Sequence, residues 1–331
     1  LLQTSEAGKN GQFRTPRHII QMMVEMLDPD IDGKISDLAC GSGGFLVGAY
    51  QHIITKYSQE TTIDINGLRK GLDGKKLNES DKTLLKNHTF YGFDIDQTMV
   101  RIGMMNLMMH GIDSPKIIHL DTLSSEYEEF ESKNSELKYK YILANPPFTG
   151  KINSKTISEK LDKIYQPKRD KDGNRLSQSV QSELLFLERI IYMLEENGRA
   201  AVIVPEGVVF NGGNAYKETR KILMNQCNLQ GVVSLPEGVF QPYTGVKTSI
   251  LFFEKRENNA DSPQEVDVWF YGMTSDGYSL DTNRNKLKDN PLPIVIDEWK
   301  SRESKNQDDR KLQHFAIPYT TIEENGFELN F

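Results

Sequence analysis

Asp37-Leu-Ala-Cys-Gly-Ser-Gly-Gly-Phe-Leu46 is the stretch that decides the fold. Lys34-Ile-Ser-Asp-Leu-Ala39 reads as a short strand, Gly41–Gly44 turn the chain, and residues 45–57 (FLVGAYQHIITKY) carry the apolar spacing of a helix. Glycines let the backbone approach a ligand closely, and the helix N-terminus behind them offers unpaired N–H groups. The dinucleotide pattern GxGxxG is not met, because Leu46 stands where its third glycine belongs. Alone, the turn is as readily a structural strand-to-helix connection.

Outward from this unit, strands and helices alternate. Residues 16–27 (PRHIIQMMVEML) are spaced as a helix, with Pro16 suited to its first turn. Thr89–Phe93 is the next strand, and residues 96–110 form an apolar helix closed by Gly111. The methionines of that helix (Met104, Met105, Met108, Met109) are expected in the core. Lys116–Leu120, Tyr139–Ala144, Arg199–Val204, Leu229–Leu235 and Thr248–Phe253 read as strands, with helices at 182–196 and near 214–226. The alternation predicts an α/β domain with a mostly parallel sheet covered on both faces. Residues 61–87 read as a polar connection or small insertion, and beyond residue 254 the pattern weakens to one further strand near 266–271.

Function in such sheets collects beyond the carboxyl ends of the strands. Asp94 ends the second strand, where a carboxylate can hold ribose hydroxyls; a helix cap is its plainer reading, and Asp96 is the rival for that cap. Asp121, after the third strand, can accept a hydrogen bond from an adenine amine. After the fourth strand comes Asn145-Pro-Pro-Phe148. Its bland reading is a rigid turn. A chemical reading accounts for all four residues. An exocyclic amine on an aromatic ring is a poor nucleophile, because its lone pair is delocalised. Acceptors aimed at both N–H bonds localise that pair. Asn145 Oδ1 supplies one and the Pro146 carbonyl the other, with Pro147 keeping the turn rigid. Phe148 offers an apolar ring for an extruded base. With a sulfonium methyl as electrophile, neither a metal nor a covalent enzyme intermediate is required.

The composition narrows the class. Cys40 and Cys227, the two cysteines, form no CxxC pair, and the six histidines show no metal-ligand spacing. A reducing, cytoplasmic setting is expected. No apolar run approaches the roughly 20 residues needed to span a bilayer. A net charge of −7 argues against a stand-alone DNA binder. The basic stretch is local. Residues 151–180 hold eight Lys or Arg (151, 155, 160, 163, 168, 169, 171, 175) against four acids (159, 162, 170, 172), a balance of +4. That is either a solvated loop or a surface for DNA phosphates, with Lys168, Arg169 and Lys171 as the candidate contacts.

Taken in order, Gly11-Gln-Phe-Arg-Thr-Pro16, Asp37–Phe45, Asp94, Asp121 and Asn145–Phe148 resemble the gamma class of amino-methyltransferases. With Gly198–Gly207, Leu235–Phe240, Thr244-Gly-Val-Lys-Thr248, Asp276-Gly-Tyr-Ser-Leu280 and Asn325–Phe331, the chain resembles the modification (M) subunit of type I restriction-modification systems. The resemblance implies a Rossmann-like class I fold dependent on S-adenosylmethionine, with seven strands, the last antiparallel. It implies a catalytic domain over 1–255, containing the basic insertion 151–181, and a C-terminal extension over 256–331 packed on it. Gly11, Gln12, Phe13, Arg14, Thr15 and Pro16 would close over the methionine part of the cofactor. Asp37, Gly41, Ser42, Gly43 and Gly44 would wrap that same part, Asp94 would hold the ribose and Asp121 would contact the adenine ring. The activity implied is N6-adenine methylation of DNA, beside a sequence-reading specificity subunit and a motor-nuclease subunit, with two M chains per specificity chain. A helical domain usually precedes this region, and with Leu1 in place of a methionine the sequence is expected to be a piece of a longer chain. Two departures stand out. Leu38 replaces a frequent proline, and Asp94 replaces a frequent glutamate.

Other readings stay open at this point. A glutamine-modifying protein methyltransferase faces the same nucleophile problem, though the Gly11–Pro16 segment and the C-terminal extension argue against it. A non-catalytic cofactor-binding subunit has no need of the full Asn145–Phe148 set. A nicotinamide oxidoreductase lacks its third glycine. Cytosine N4 is chemically equivalent to adenine N6 as an acceptor.

Overall fold

The structure is a computed structural model. It describes residues 14–63, 69–134, 137–148, 150–153, 156–164, 168–174, 176, 179–257, 264, 266–302 and 313–329. Helix α1 (Arg17–Leu27) follows Pro16 and buries Ile19, Ile20, Met22, Met23, Val24, Met26 and Leu27. Strand β1 (Ile35–Asp37) leads through the glycine turn into α2 (Gly44–Lys56). Helix α3 (Glu79–Asn87), β2 (Phe90–Asp94), α4 (Gln97–Met109) and β3 (Lys116–His119) follow, then α5 (Glu126–Lys133) and β4 (Tyr139–Ala144). Beyond them lie α6 (Ser182–Met193), β5 (Leu194–Pro205), α7 (Gly207–Phe210), α8 (Asn214–Gln226), β6 (Cys227–Ser234) and β7 (Thr248–Lys255). The chain continues through β8 (Val268–Gly272), α9 (Leu292–Lys300), β9 (His314–Ile317) and α10 (Tyr319–Glu324).

Strands β1–β9 form one nine-stranded sheet in the order β3-β2-β1-β4-β5-β7-β6-β8-β9. β1 pairs in parallel with β2 and β4, β2 with β3, and β4 with β5. β7 inserts antiparallel between β5 and β6, its Ile250 facing Ile203 on one side and Val233 on the other. The chain can reach that slot from β6 because residues 235–247 run as a loop rather than as a crossover helix. Both sheet faces are covered, so the central strands read as nearly unbroken apolar runs: β4 and β7 are buried along most of their lengths. One core lies under α1, α2 and α9 around Leu46, Leu143, Phe252 and Trp299. The other lies under α5, α6 and α8 around Phe93, Tyr127, Ile142, Leu184 and Phe253.

Two expectations change. The seven strands are there with the seventh reversed, but β8 and β9 widen the sheet to nine. Residues beyond 256 thus extend the sheet itself: β8 pairs in parallel with β6, and β9 runs antiparallel to β8. Of the four methionines expected in the core, only Met104 packs against it, and that only partly buried. Met105, Met108 and Met109 are 62%, 56% and 82% exposed, because α4 sits near the β3 edge and presents only the Val100, Gly103, Leu107 stripe inward. Residues 61–87 hold a small hairpin, pairing Thr62–Ile63 with Arg69–Lys70, besides α3.

Candidate active site

The glycine turn is fixed first by its own backbone. Gly43 N–H donates to the Cys40 carbonyl at 2.8 Å and Cys40 N–H to the Phe93 carbonyl at 2.9 Å, locking the turn to the end of β2. Gly41 and Gly43 have φ of +50° and +76°. The two differ in surroundings. A Cβ on Gly43 would lie 2.4 Å from Leu107 Cδ1, whereas over Gly41 there is open space. Gly43 therefore answers packing against α4, and Gly41 leaves room above the backbone. From α4, Asn106 Nδ2 donates to the Ser42 carbonyl at 2.8 Å.

Two carboxyl groups sit beneath the turn. Asp94 Oδ2 accepts from Gly41 N–H at 2.9 Å and its Oδ1 from Asp96 N–H at 2.8 Å. Asp96, and not Asp94, caps α4, accepting from Thr98 N–H at 2.7 Å. Asp94 instead ties the glycine turn to the segment before α4 through both of its oxygens. Asp37 is fully enclosed, and burial pushes its carboxyl up to about 8; the Ala39 N–H works against this and the negative charge of Asp94 adds to it. Burial also raises Asp94. Two carboxyl groups held in low dielectric beside each other suit a cationic ligand, which would favour their ionised forms. Asp121 is exposed after β3, its Oδ1 accepting from Leu123 N–H at 2.9 Å.

β1 and β4 are neighbours, with Ser36 opposite Ile142, so the chain leaves both strands at the same edge. There Asn145-Pro-Pro-Phe148 follows β4. Asn145 Nδ2 donates to Thr15 Oγ1 at 2.9 Å. Asn145 Oδ1 is buried and has no hydrogen-bond partner among the described residues. A buried acceptor without a donor is costly, about 1–3 kcal/mol, and such orphans gather where a ligand supplies the donor. The turn is braced from behind. Ser182, the first residue of α6, donates its hydroxyl to the Pro147 carbonyl at 3.2 Å and its N–H to the Gly150 carbonyl at 2.9 Å. A Cβ on Gly150 would meet Ser182 Oγ at 2.7 Å. The Phe148 ring is buried and meets Phe240 edge-on, centroids 6.3 Å apart.

Arg14, Thr15 and Pro16 line a cavity of about 320 Å³ with Phe240, Tyr243 and Tyr278, next to Asn145's partner Thr15. Gly11, Gln12 and Phe13 lie outside the described residues. A larger cleft of about 550 Å³ opens at the far ends of α1 and α2, between Asp28, Lys56, Arg199 and Trp299; none of the site residues line it. Lys168, Arg169 and Lys171 stand on an exposed turn away from that cleft. Arg169 donates to the Gly173 carbonyl at 2.9 Å and pairs with Asp162 at 3.4 Å. The insertion that carries them is framed by a hairpin of Lys151–Asn153 with Ser179–Gln181. Among the described residues no group of three or more His, Cys, Asp or Glu could hold a metal ion, and no helix is long and apolar enough to cross a membrane. Sequence reasoning missed Ser182, which reaches the Pro147 carbonyl from 35 residues on with nothing local to mark it.

The strand order β3-β2-β1-β4-β5-β7-β6 with β7 reversed, carrying a glycine turn after β1 and an amide-proline turn after β4, defines a class I S-adenosylmethionine-dependent methyltransferase fold. The family model for N-6 DNA methylases matches residues 2–331, and the chain belongs to that family. It is 33% identical over 316 residues to the type I restriction enzyme EcoEI methylase subunit of Escherichia coli, covering 93% of this chain and 56% of the relative. It is 31% identical to the EcoKI methylase subunit of Escherichia coli K12, covering 80% of this chain and 44% of the relative. Among solved structures, a modification subunit of a putative type I restriction enzyme from Vibrio vulnificus superposes with a TM-score of 0.69 at 25% identity, over 96% of this chain and 57% of that one. The chain spans about half the length of the curated relatives it matches.

Proposed function

We propose that this chain transfers a methyl group from S-adenosylmethionine to the N6 amine of an adenine turned out of duplex DNA, as the modification subunit of a type I restriction-modification complex. The observation that carries the reading is Asn145 Oδ1: a buried acceptor lacking a partner among the described residues, on a proline-braced turn one strand away from the glycine turn. The site residues fit the cofactor. Open space lies over Gly41, and the Asp37 and Asp94 carboxyls suit a cation. Gly41–Gly44 and the Arg14–Pro16 segment would hold its methionine part, Asp94 the ribose and Asp121 the adenine. When bound, it supplies an electrophilic methyl on a positively charged sulfur.

The chain's own contribution is acceptor geometry. Asn145 Oδ1 and the Pro146 carbonyl would accept hydrogen bonds from the two amine N–H groups, so the nitrogen lone pair is directed out of ring conjugation and along the line of attack, and one of those protons leaves as the nitrogen is methylated. Pro146 and Pro147 remove backbone freedom, and Ser182 holds the Pro147 carbonyl from behind. Phe148 and Phe240 keep water from the amine. Sequence reading falls to a separate specificity chain, with two modification chains to each and a motor-nuclease chain for cleavage, all in the cytoplasm. The chain's acidic balance fits such a division, with the 168–171 turn adding local phosphate contacts. The test is transfer of labelled methyl from S-adenosylmethionine by the complete complex, offered duplex DNA or cell protein. Label in DNA adenine is expected. Label in protein alone, or in cytosine, would contradict the assignment.

A further inference from the structure

Asp276 is wholly buried, and none of the roles described for the site requires it. It belongs to the Asp276-Gly-Tyr-Ser-Leu280 stretch, far from the glycine and proline turns in sequence. Its Oδ2 meets His18 Nε2 at 2.8 Å, and the Arg284 guanidinium pairs with the same oxygen. Its Oδ1 accepts from Tyr278 N–H at 3.2 Å. The Tyr278 ring then stacks on His18, centroids 4.3 Å apart at 18°. His18 is therefore held on its edge by a carboxylate and on its face by an aromatic ring. The holding loop is itself stiff: Leu287 N–H donates to the Gly277 carbonyl at 2.8 Å and Ser279 N–H to the Asn285 carbonyl at 2.7 Å.

His18 lies three residues after Thr15, across Pro16, whose ring removes one backbone freedom between them. Thr15 Oγ1 accepts the Asn145 amide N–H. That bond holds the amide in place and leaves Oδ1 buried without a partner among the described residues. In the proposed reaction that oxygen accepts from the substrate amine, and an amide displaced from Thr15 would no longer hold its acceptor where the amine's hydrogens arrive. Thr15 needs a fixed position for this, and the clamp on His18 supplies it.

We propose that Asp276 is a positioning residue: through His18 it holds the 14–18 segment so that Thr15 fixes the position of the Asn145 amide whose Oδ1 serves the substrate amine. The inference rests on the methyltransferase reading above and adds to it a structural path from the C-terminal loop to the catalytic amide.

The experiment uses the complete complex. Single-turnover methyl transfer to DNA, cofactor affinity and thermal midpoint are measured for Thr15→Val, Thr15→Ser, Asp276→Ala and the double variant Thr15→Val/Asp276→Ala. Thr15→Val is expected to slow transfer about tenfold, the scale of one lost orienting hydrogen bond, and Thr15→Ser to restore it within a few-fold. Asp276→Ala is expected to slow transfer by a similar factor, with less change in cofactor affinity. The double variant is expected to be no slower than Thr15→Val, because both changes break one path. Should Asp276→Ala fail to fold, His18→Ala tests the same path from its more accessible side. Losses that multiply, or a lowered midpoint with transfer intact, would overturn the proposal. A wild-type complex that leaves adenine unmethylated defeats the underlying reading instead, and a fully active Thr15→Val defeats only this one.

Discussion

Asn145 treats its two amide ends differently: Nδ2 donates to Thr15, and Oδ1 is buried without a partner among the described residues. Asn145→Ala removes the acceptor and is expected to lower the transfer rate about 10²–10³-fold, by analogy with lost oxyanion-hole donors, with DNA affinity nearly unchanged. Rapid-quench rates beside a DNA-binding titration check this. Asp37 gives a pH signature. Its carboxyl is raised from 3.8 to about 8 by burial, so between those values the folded chain binds more protons there than the unfolded chain. Its contribution to stability is therefore undiminished below pH 4 and falls as pH rises toward 8, by up to about 1.4 kcal/mol per unit. Asp37→Asn is expected to flatten that fall, and to raise the melting temperature at pH 8 above wild type while weakening cofactor binding. Melting curves from pH 5 to 8 read it; equal slopes in the two proteins would contradict it. At this scale the sequence was partly legible. Asn145 could be singled out because it follows a strand and precedes two prolines. Its link to Thr15 could not, because the partners are 130 residues apart and neither type announces the other.

At the scale of elements, the glycine turn holds its shape through left-handed backbone at Gly43 and contact with Leu107. Gly43→Ala meets both obstacles: strain of about 1–3 kcal/mol for the backbone, and a clash that must push Leu107 and α4 outward. A clearly lowered melting temperature and lost cofactor binding are expected, whereas Gly41→Ala, with open space for its Cβ, is expected to melt closer to wild type. Calorimetry on both variants distinguishes packing from ligand approach. The 168–171 turn makes a separate prediction. Replacing Lys168, Arg169 and Lys171 with Gln is expected to flatten the salt dependence of DNA binding by about one unit of slope per lost phosphate contact, and an unchanged slope would show the turn to be merely solvated. Elements with strong periodicity, such as α2 and β4, were legible almost to their ends. Helix α4 was legible as a helix but not in its orientation. Periodicity tells which residues share a face, and Met105, Met108 and Met109 do share one, yet it cannot say that this face looks outward near the sheet's edge.

For the whole molecule, the C-terminal residues are structural members of the catalytic sheet. β8 pairs with β6, and Trp299 of α9 packs on Phe252 and donates its indole N–H to the Met26 carbonyl at 2.7 Å, tying the sheet, α1 and the C-terminal part together. Trp299→Ala is expected to cost about 3–5 kcal/mol, as for other large aromatic truncations in a core, and denaturant unfolding measures it. This integration was the least legible feature. The stretches around 274–292 and 300–311 are polar, and α9 between them is held by α1 and Phe252, from far earlier in the chain. The same long connections carry the path from Asp276 to Thr15. Under the proposed function, a buried amide acceptor after β4 and a glycine turn after β1 serve one methyl transfer to an adenine amine. Its most direct test is base-resolved mapping of methylated DNA from cells carrying the complete complex, as wild type and as Asn145→Ala. The account expects N6-methyladenine at one recurrent sequence in the first and none there in the second. Persistence of the modified adenine in Asn145→Ala, with the complex assembled and cofactor bound, would contradict it.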